Sequence, residues 1–230
     1  MLQCNNICKR YGGLQALLNV SFDLKRDIIM GLIGPNGAGK TTLLNLISGF
    51  IKPNSGAIIF KGENINRMSP HRIARRGIAR TYQHTKVFKE FTALENLEIA
   101  DIDPEEIEKV IEKFGLYGKK SRLAGKLSLF DQKKLEIAMA LSLKPKLLLL
   151  DEPTAGFTLA EKESFKELVE FAKERWNFSM ILIEHDVKFT LDLSNEVMVL
   201  CDGRVLAQGT PEEIVKDQDV VENYLGRSAI

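Results

Sequence analysis

Short stretches of apolar residues alternate with polar ones near the start of the chain. Over Val20–Leu24 every second residue is apolar, which is typical of a strand with one buried face. Ile28–Ile33 is continuously apolar and leads into a glycine-rich turn, so it is predicted to be a central strand of a parallel sheet. A helix is predicted over Lys40–Ser48, and another strand over Ala57–Lys61.

The middle of the chain has helical periodicity instead. From Ile107 to Phe114, apolar residues recur at positions i, i+3, i+4 and i+7, and Gly115 ends the pattern. A second helix is predicted from about Ser128 to Ser142. These helices form an insert between two regions that are rich in strands.

The last third of the chain returns to alternating strands and helices. Thr158 and Glu161 have the spacing of a capping box at the start of a helix. Asp202 and Gly203 are predicted to form the turn of a hairpin, and Thr210 to begin the final helix. The predicted strands are Leu147–Leu150, Met180–Ile183, Glu196–Leu200 and Arg204–Gln208.

This order of elements predicts one α/β domain over residues 1–230. The core is expected to comprise residues 1–84 and 141–230, with residues 85–140 as an inserted helical subdomain. Apolar residues make up 44% of the chain and charged residues 27%, which is an ordinary globular balance.

Charge and cysteine content narrow the possible partners and the compartment. Lys and Arg number 32 and Asp and Glu 31, so the net charge of +1 gives no reason to expect a nucleic acid partner. The three cysteines have no disulfide spacing, which indicates a reducing, cytoplasmic compartment. We expect no signal peptide and no membrane span. Any function at a membrane would therefore require another subunit that spans it.

The clearest motif is a phosphate loop. Gly34–Thr41 matches the pattern G-x-x-x-x-G-K-[ST] between a predicted strand and a predicted helix. The glycines allow backbone N–H groups to surround a triphosphate, Lys40 reaches its β- and γ-phosphates, and the Thr41 hydroxyl binds Mg²⁺. The expected ATP contacts are Gly34, Pro35, Asn36, Gly37, Ala38, Gly39, Lys40, Thr41 and Thr42.

A second motif distinguishes among phosphate-loop proteins. The apolar run before Asp151 and Glu152 predicts a strand that ends in two acids. Asp151 is suited to hold Mg²⁺ through water, and Glu152 to polarise an attacking water as a general base. A solvated acidic turn is the plainer alternative. An Asn-Lys-x-Asp guanine-recognition motif does not occur, which argues against a GTPase.

These residues, in this order, resemble the ABC ATPase family over nearly the whole chain. The resemblance implies a RecA-like P-loop NTPase core with an N-terminal antiparallel β subdomain and an inserted α-helical subdomain. It implies that Tyr11 stacks on adenine, that Gln83 touches Mg²⁺ and water, and that His185 reaches the γ-phosphate. Structural roles for Tyr11 and His185, and simple solvent exposure of Gln83, remain the alternatives.

Three segments further resemble the ATP-binding subunits of branched-chain amino-acid importers. They are Gly12–Leu14, Arg80–His84 and Val221–Gly226. The resemblance implies an ATPase that powers transport through separate membrane-spanning permease subunits, peripheral on the inner face of the cell membrane. A coupling helix of such a subunit would dock after Gln83, and exposed aromatic residues at Phe88 and Phe91 would support this.

The family signature Leu-Ser-Gly-Gly-Gln is altered here to Leu127–Asp131. Ser128 is retained and is expected to donate to the ATP of a second ATP-binding subunit. Phe130 is expected to add bulk there, and Asp131 to face an anion. Thr158 also replaces an expected acid between the two sites. We therefore favour a heterodimer over a homodimer, although tolerated drift is the plainer reading.

Two other functions would use the same site residues. One is a soluble ABC ATPase that acts as an assembly or regulatory factor, and the other is a weakly hydrolysing ATP sensor. The identity of the partner proteins would separate the first from a transporter subunit, and measured turnover would separate the second.

Overall fold

A computed structural model describes residues 1–82, 85–99 and 104–226 of the chain. Gln83, one of the expected site residues, lies outside these ranges. The strands are β1 (Leu2–Tyr11), β2 (Leu14–Leu24), β3 (Ile29–Ile33), β4 (Ser55–Phe60), β5 (Glu63–Asn64), β6 (Ile78–Arg80), β7 (Leu147–Asp151), β8 (Ser179–Ile183), β9 (Glu196–Cys201) and β10 (Arg204–Gly209).

Helices occupy the segments between these strands and the end of the chain. They are α1 (Lys40–Ile47), α2 (Pro70–Arg75), α3 (Ala93–Glu98), α4 (Pro104–Lys113), α5 (Leu129–Ser142), α6 (Leu159–Trp176), α7 (Val187–Leu193), α8 (Pro211–Lys216) and α9 (Gln218–Val220), followed by a π-helical turn at Val221–Leu225. The predicted final helix at Thr210 is therefore followed by further helical residues. No helix in these ranges combines the length and apolarity needed to cross a bilayer.

Two sheets form the frame of the domain. The first is antiparallel, in the order β2-β1-β4-β5, and the second has the order β10-β9-β3-β8-β7-β6. In the second sheet β3 pairs in parallel with both β8 and β9, as expected for a continuously apolar strand. The expected fold class, an α/β P-loop core with an N-terminal antiparallel β subdomain and a helical insert, is confirmed.

The local signals read from the sequence correspond to real helix ends and turns. Thr158 caps α6, where its side chain accepts from the Glu161 N–H while the Glu161 carboxylate accepts from the Thr158 N–H. Asp202 and Gly203 have φ angles of 45° and 73°, the conformation that a tight hairpin turn requires. Thr92 and Glu95 form the same kind of capping box at the start of α3, a helix that was not predicted.

The hairpin turn between β9 and β10 joins the two sheets. The N–H of Leu18, in β2, donates to the carbonyl oxygen of Gly203 at 2.8 Å. The N–H of Gly203 donates in turn to the carbonyl oxygen of Ala38 at 3.2 Å. This pair of hydrogen bonds fixes the antiparallel sheet beside the loop that connects β3 to α1.

Candidate functional site

The loop between β3 and α1 has a shape that only glycine permits at two positions. Gly34 has a φ of 145°, and a Cβ there would collide with the carbonyl oxygen of Leu200 in β9. Gly39 has a φ of 101°, and its Cβ would lie 2.6 Å from the carbonyl oxygen of Ala16. The backbone of the loop therefore lies directly against β9 and β2, which fixes the start of α1.

Lys40 is the first residue of α1, and its side chain turns back over the loop. Its ammonium donates to the carbonyl oxygens of Gly34 at 2.6 Å and Pro35 at 3.0 Å. Burial lowers the pKa of Lys40, while the nearby carboxylates of Glu152 and Asp151 act to raise it. The lysine thus lies between the loop and the two acids of the second motif.

A cavity of about 310 Å³ opens beside the loop. Tyr11, at the end of β1, has 45% of its surface exposed, and the Lys9 ammonium lies 5.2 Å from its ring centroid. The cavity is lined by Tyr11, Leu14, Gln15, Ala16, Asn36, Gly37, Ala38, Gly39, Lys40, Thr41, Thr42 and Glu152. The structure therefore brings the expected adenine, phosphate and water-activating residues to one opening, with Gly34 and Pro35 supporting Lys40.

The two acids that follow β7 have different surroundings. Asp151 is buried, and its Oδ2 pairs with an Arg80 guanidinium nitrogen at 3.1 Å. Burial raises the pKa of Asp151, although the Arg80 charge opposes the shift. Glu152 has a φ of 50°, which turns its carboxylate out of the strand, and its Oε1 lies 2.8 Å from Nε2 of His185. The expected base and the expected histidine are thus in contact.

The oxygen atoms near Lys40 suit a magnesium ion that is shared with a nucleotide. Thr41, which carries a hydroxyl, lines the cavity, and Asp151 lies close enough to Lys40 to influence its pKa. The described ranges contain no group of three or more His, Cys, Asp or Glu that could hold a metal by themselves. Mg²⁺ commonly takes one or two protein oxygen ligands and completes its shell with phosphate and water, so this donor set fits it.

The expectation for the altered signature segment is wrong for two of its side chains. Phe130 does not project from the helix end but packs on Phe157, with ring centroids 5.0 Å apart. Asp131 is buried and accepts from Lys119 at 2.5 Å and from Ser128 at 2.9 Å. Leu129 is exposed, with 70% of its surface accessible, and Ser128 beside it is exposed as well.

Ser128 acts within its own helix in this structure. Its hydroxyl accepts from the Asp131 N–H at 3.1 Å and donates to the Asp131 carboxylate, so it is the N-cap of α5. It lies outside the lining of the cavity beside the phosphate loop.

Phe88 and Phe91 have 48% and 44% of their surface exposed. Exposed aromatic residues here support the prediction that a coupling helix of a membrane subunit docks on this segment.

Several buried charged residues near the site were not identified from the sequence. Lys133 of α5 pairs with Glu136 at 2.8 Å and also donates to the carbonyl oxygen of Tyr82, beside the Gln83 segment. Glu184, next to His185, accepts from the Thr154 N–H at 2.7 Å, and burial raises its pKa against this hydrogen bond. The available signal for Glu184 was its position directly after the apolar run Met180–Ile183.

Comparison with known proteins identifies the class of this site. A family model described as ABC transporter matches residues 17–155. The chain therefore belongs to the ABC transporter family, as an ATP-binding cassette that hydrolyses ATP. A second model, described as a branched-chain amino acid ATP-binding cassette transporter, matches residues 204–230.

Individual relatives match over almost their whole length. The chain is 37% identical to the high-affinity branched-chain amino acid transport ATP-binding protein LivG of Salmonella typhimurium, over 99% of the chain and 98% of the relative. It is 33% identical to the lipopolysaccharide export system ATP-binding protein LptB of Haemophilus influenzae, over 98% and 97%. The ADP conformation of MJ1267, an ATP-binding cassette of an ABC transporter, superposes with a TM-score of 0.89 at 31% identity, over 98% of both chains.

The ion pairs of Asp131 give the first testable prediction. Burial alone would raise the pKa of Asp131, but hydrogen bonds from Lys119, Lys134 and Ser128 outweigh it and hold the pKa below its usual range. Asp131→Asn should therefore lower the free energy of unfolding at pH 7 by about 1–3 kcal/mol, as measured by urea denaturation.

The pH dependence follows from the sign of that shift. The contribution of Asp131 is complete above its unfolded pKa of about 3.9 and is lost as pH falls through the lower folded value. The difference between wild type and Asp131→Asn should therefore shrink below about pH 4. Asp192→Asn, at an exposed position, is the control. Equal stability of Asp131→Asn and wild type at pH 7 would contradict this account.

Proposed function

We propose that this chain powers an ABC importer of the branched-chain amino-acid class through separate membrane-spanning permease subunits. It would act in the cytoplasm, on the inner face of the cell membrane. The contact between Glu152 and His185, beside the cavity of the phosphate loop, is the observation that carries the catalytic part. The match of residues 204–230 and the relative LivG support the importer class.

Binding of ATP begins with an exchange of partners at Lys40. The ammonium leaves the carbonyl oxygens of Gly34 and Pro35 and donates instead to the β- and γ-phosphates. Loop N–H groups and the N-terminus of α1 supply further donors to the triphosphate. Adenine stacks on the exposed ring of Tyr11, at the other end of the same cavity.

Hydrolysis requires a base, an in-line water and compensation of charge on the transferring phosphoryl group. Glu152 accepts the proton of the attacking water, while His185 orients that carboxylate and, with Lys40, stabilises the γ-phosphate. Thr41, Gln83 and Asp151 are the residues that would hold Mg²⁺, which when bound would supply compensation for the negative charge of the triphosphate. Asp151, Glu152 and His185 lie at or just after the carboxyl ends of β7 and β8, while Lys40 and Thr41 begin α1, which follows β3.

A second cassette completes the proposed assembly. In our division of the chain, residues 85–140 form the helical subdomain, and Ser128 at the start of α5 meets the ATP of the opposite subunit. The exposed Leu129 stands beside it where the family has glycine, so close approach to a triphosphate is impaired there. We therefore propose a heterodimer, in which a partner with an intact signature closes over the ATP of this chain.

The role of Glu152 gives a direct prediction. Glu152→Gln retains the size and hydrogen bonding of the side chain but cannot accept a proton, so phosphate release should fall at least about a hundredfold. ATP binding should persist, and ATP should promote a stable dimer. Glu174→Gln, an exposed substitution on α6, should leave the rate unchanged. Normal hydrolysis by Glu152→Gln would show that another group is the base.

Lys40 gives a second prediction, read out by binding alone. ATP at about 100 times its dissociation constant should stabilise the wild type by about 2.7 kcal/mol, seen as a rise in Tm. Lys40→Ala should show no such rise, because the triphosphate loses its principal cationic partner. Lys126→Ala, at an exposed position, should respond like wild type. A full ATP-dependent shift in Lys40→Ala would be inconsistent with the proposed phosphate site.

The proposed assembly predicts which proteins accompany the chain. Affinity purification from mild detergent should recover a polytopic membrane protein and a second ATP-binding cassette with an intact signature. Recovery of the chain as a homodimer with full turnover, and with no membrane protein, would instead favour a soluble ATPase.

A further inference from the structure

Arg80 is a buried arginine that contacts Asp151, and the proposed mechanism assigns it no role. It is the last residue of β6, which pairs in parallel with β7 so that Arg80 lies opposite Leu149. Only 6% of its side chain is exposed, and its guanidinium contacts Asp151 at 3.1 Å. A buried charge requires compensation, and Asp151 provides it here.

The same guanidinium also binds α1, the helix that begins with Lys40 and Thr41. Its other terminal nitrogen donates to Oδ1 of Asn45 at 2.7 Å and to Oγ of Ser48 at 3.0 Å. One rigid planar group therefore spans the helix of the phosphate loop and the acid at the end of β7. Lysine, with a single ammonium, would not make both connections in the same geometry.

Two aromatic rings hold the guanidinium in this position. Its central carbon lies 5.9 Å from the ring centroid of Phe50 and 5.2 Å from that of Tyr82. These two rings pack edge to face, with centroids 5.8 Å apart. The arginine is thus restricted from both its polar and its apolar sides, and it has little freedom to release Asp151.

We propose that Arg80 is a positioning residue for the magnesium site, which holds the Asp151 carboxylate and helix α1 at a fixed separation. The inference rests on the proposed function, since it takes Thr41 and Asp151 as the two protein sides of that site. Because Arg80 contacts Oδ2 of Asp151, the carboxylate is oriented before a metal–nucleotide complex arrives. Groups that orient a metal ligand typically affect metal affinity or activity by about 10–100-fold.

A purely structural ion pair would make a different prediction. It would affect the stability of the domain, but it would leave unchanged the factor by which Mg²⁺ strengthens ATP binding. An arginine that competes with the metal for Asp151 would make a third prediction, because its removal would lower the Mg²⁺ requirement. The dependence of ATP binding on Mg²⁺ therefore separates the three roles.

The test compares Arg80→Met and Arg80→Lys with the wild type and with Arg76→Met. Arg76 is the matched control, since it pairs with Glu63 at 2.8 Å on the surface, with 50% of its side chain exposed. The measurements are Tm, the Kd of ATP in EDTA and in Mg²⁺, and the Mg²⁺ concentration for half-maximal binding. Phosphate release is recorded over the same Mg²⁺ range.

Arg80→Met should raise the Mg²⁺ concentration for half-maximal ATP binding by about tenfold or more. The factor by which Mg²⁺ lowers the Kd of ATP should decrease to the same extent. Arg80→Lys should fall between Arg80→Met and wild type, and Arg76→Met should match wild type. A folded Arg80→Met with an unchanged or lower Mg²⁺ requirement would overturn the proposal. Absence of Mg²⁺-dependent ATP binding in wild type would instead refute the proposed function.

A further variant covers the case in which Arg80→Met does not fold. Asn45→Ala removes one anchor of the guanidinium and leaves the ion pair with Asp151 in place. It should shift the Mg²⁺ requirement in the same direction by a smaller factor. If Asn45→Ala has the same Mg²⁺ requirement as wild type, the proposal that the link to α1 positions the site is wrong.

Discussion

The close approach of the phosphate loop to β9 is the constraint on which the site depends. At Gly34 the loop lies so near the Leu200 carbonyl that no side chain fits between them. Gly203, in the turn after β9, binds Ala38 in the loop and Leu18 in β2. The β9–β10 hairpin that shapes the phosphate loop thus also fixes the antiparallel sheet, and with it Tyr11, at the mouth of the cavity.

The second constraint is that each buried charge of the site needs a partner inside the protein. Lys40, Arg80 and Asp151 are all nearly removed from water at the carboxyl edge of the sheet, where isolated charges would be very costly. Arg80 pairs with Asp151, and Lys40 is held by carbonyl oxygens of the loop. Binding of a nucleotide would replace the carbonyl partners of Lys40 with phosphate, while Arg80 keeps its pairing with Asp151.

Much of the fold was predictable because its signals are local in the sequence. The Gly34–Thr41 motif, the capping box at Thr158 and the hairpin turn at Asp202 each act through neighbouring residues, and the structure has the expected element at all three. The fold class and the family were inferred from these local motifs, and both are confirmed. The individual roles of the site residues remain predictions.

The remaining features depend on contacts between residues that are distant in the sequence. The pairing of Arg80 with Asp151 spans 71 positions and follows from the register of β6 and β7, which no local pattern specifies. The error over Phe130 has the same origin, because Phe157, on which it packs, is distant in the sequence. Asp131 differs, since its neighbours Ser128 and Lys134 hold it together with Lys119.

The central claim is that this chain hydrolyses ATP at a site which a second cassette completes. The most direct measurement is phosphate release by the purified chain at saturating ATP and Mg²⁺, alone and with a cassette that has an intact signature. We expect slow release by the chain alone and a rate in the mixture above the sum of the separate rates. A rate in the mixture no greater than the sum of the separate rates, or no release in either condition, would contradict the account.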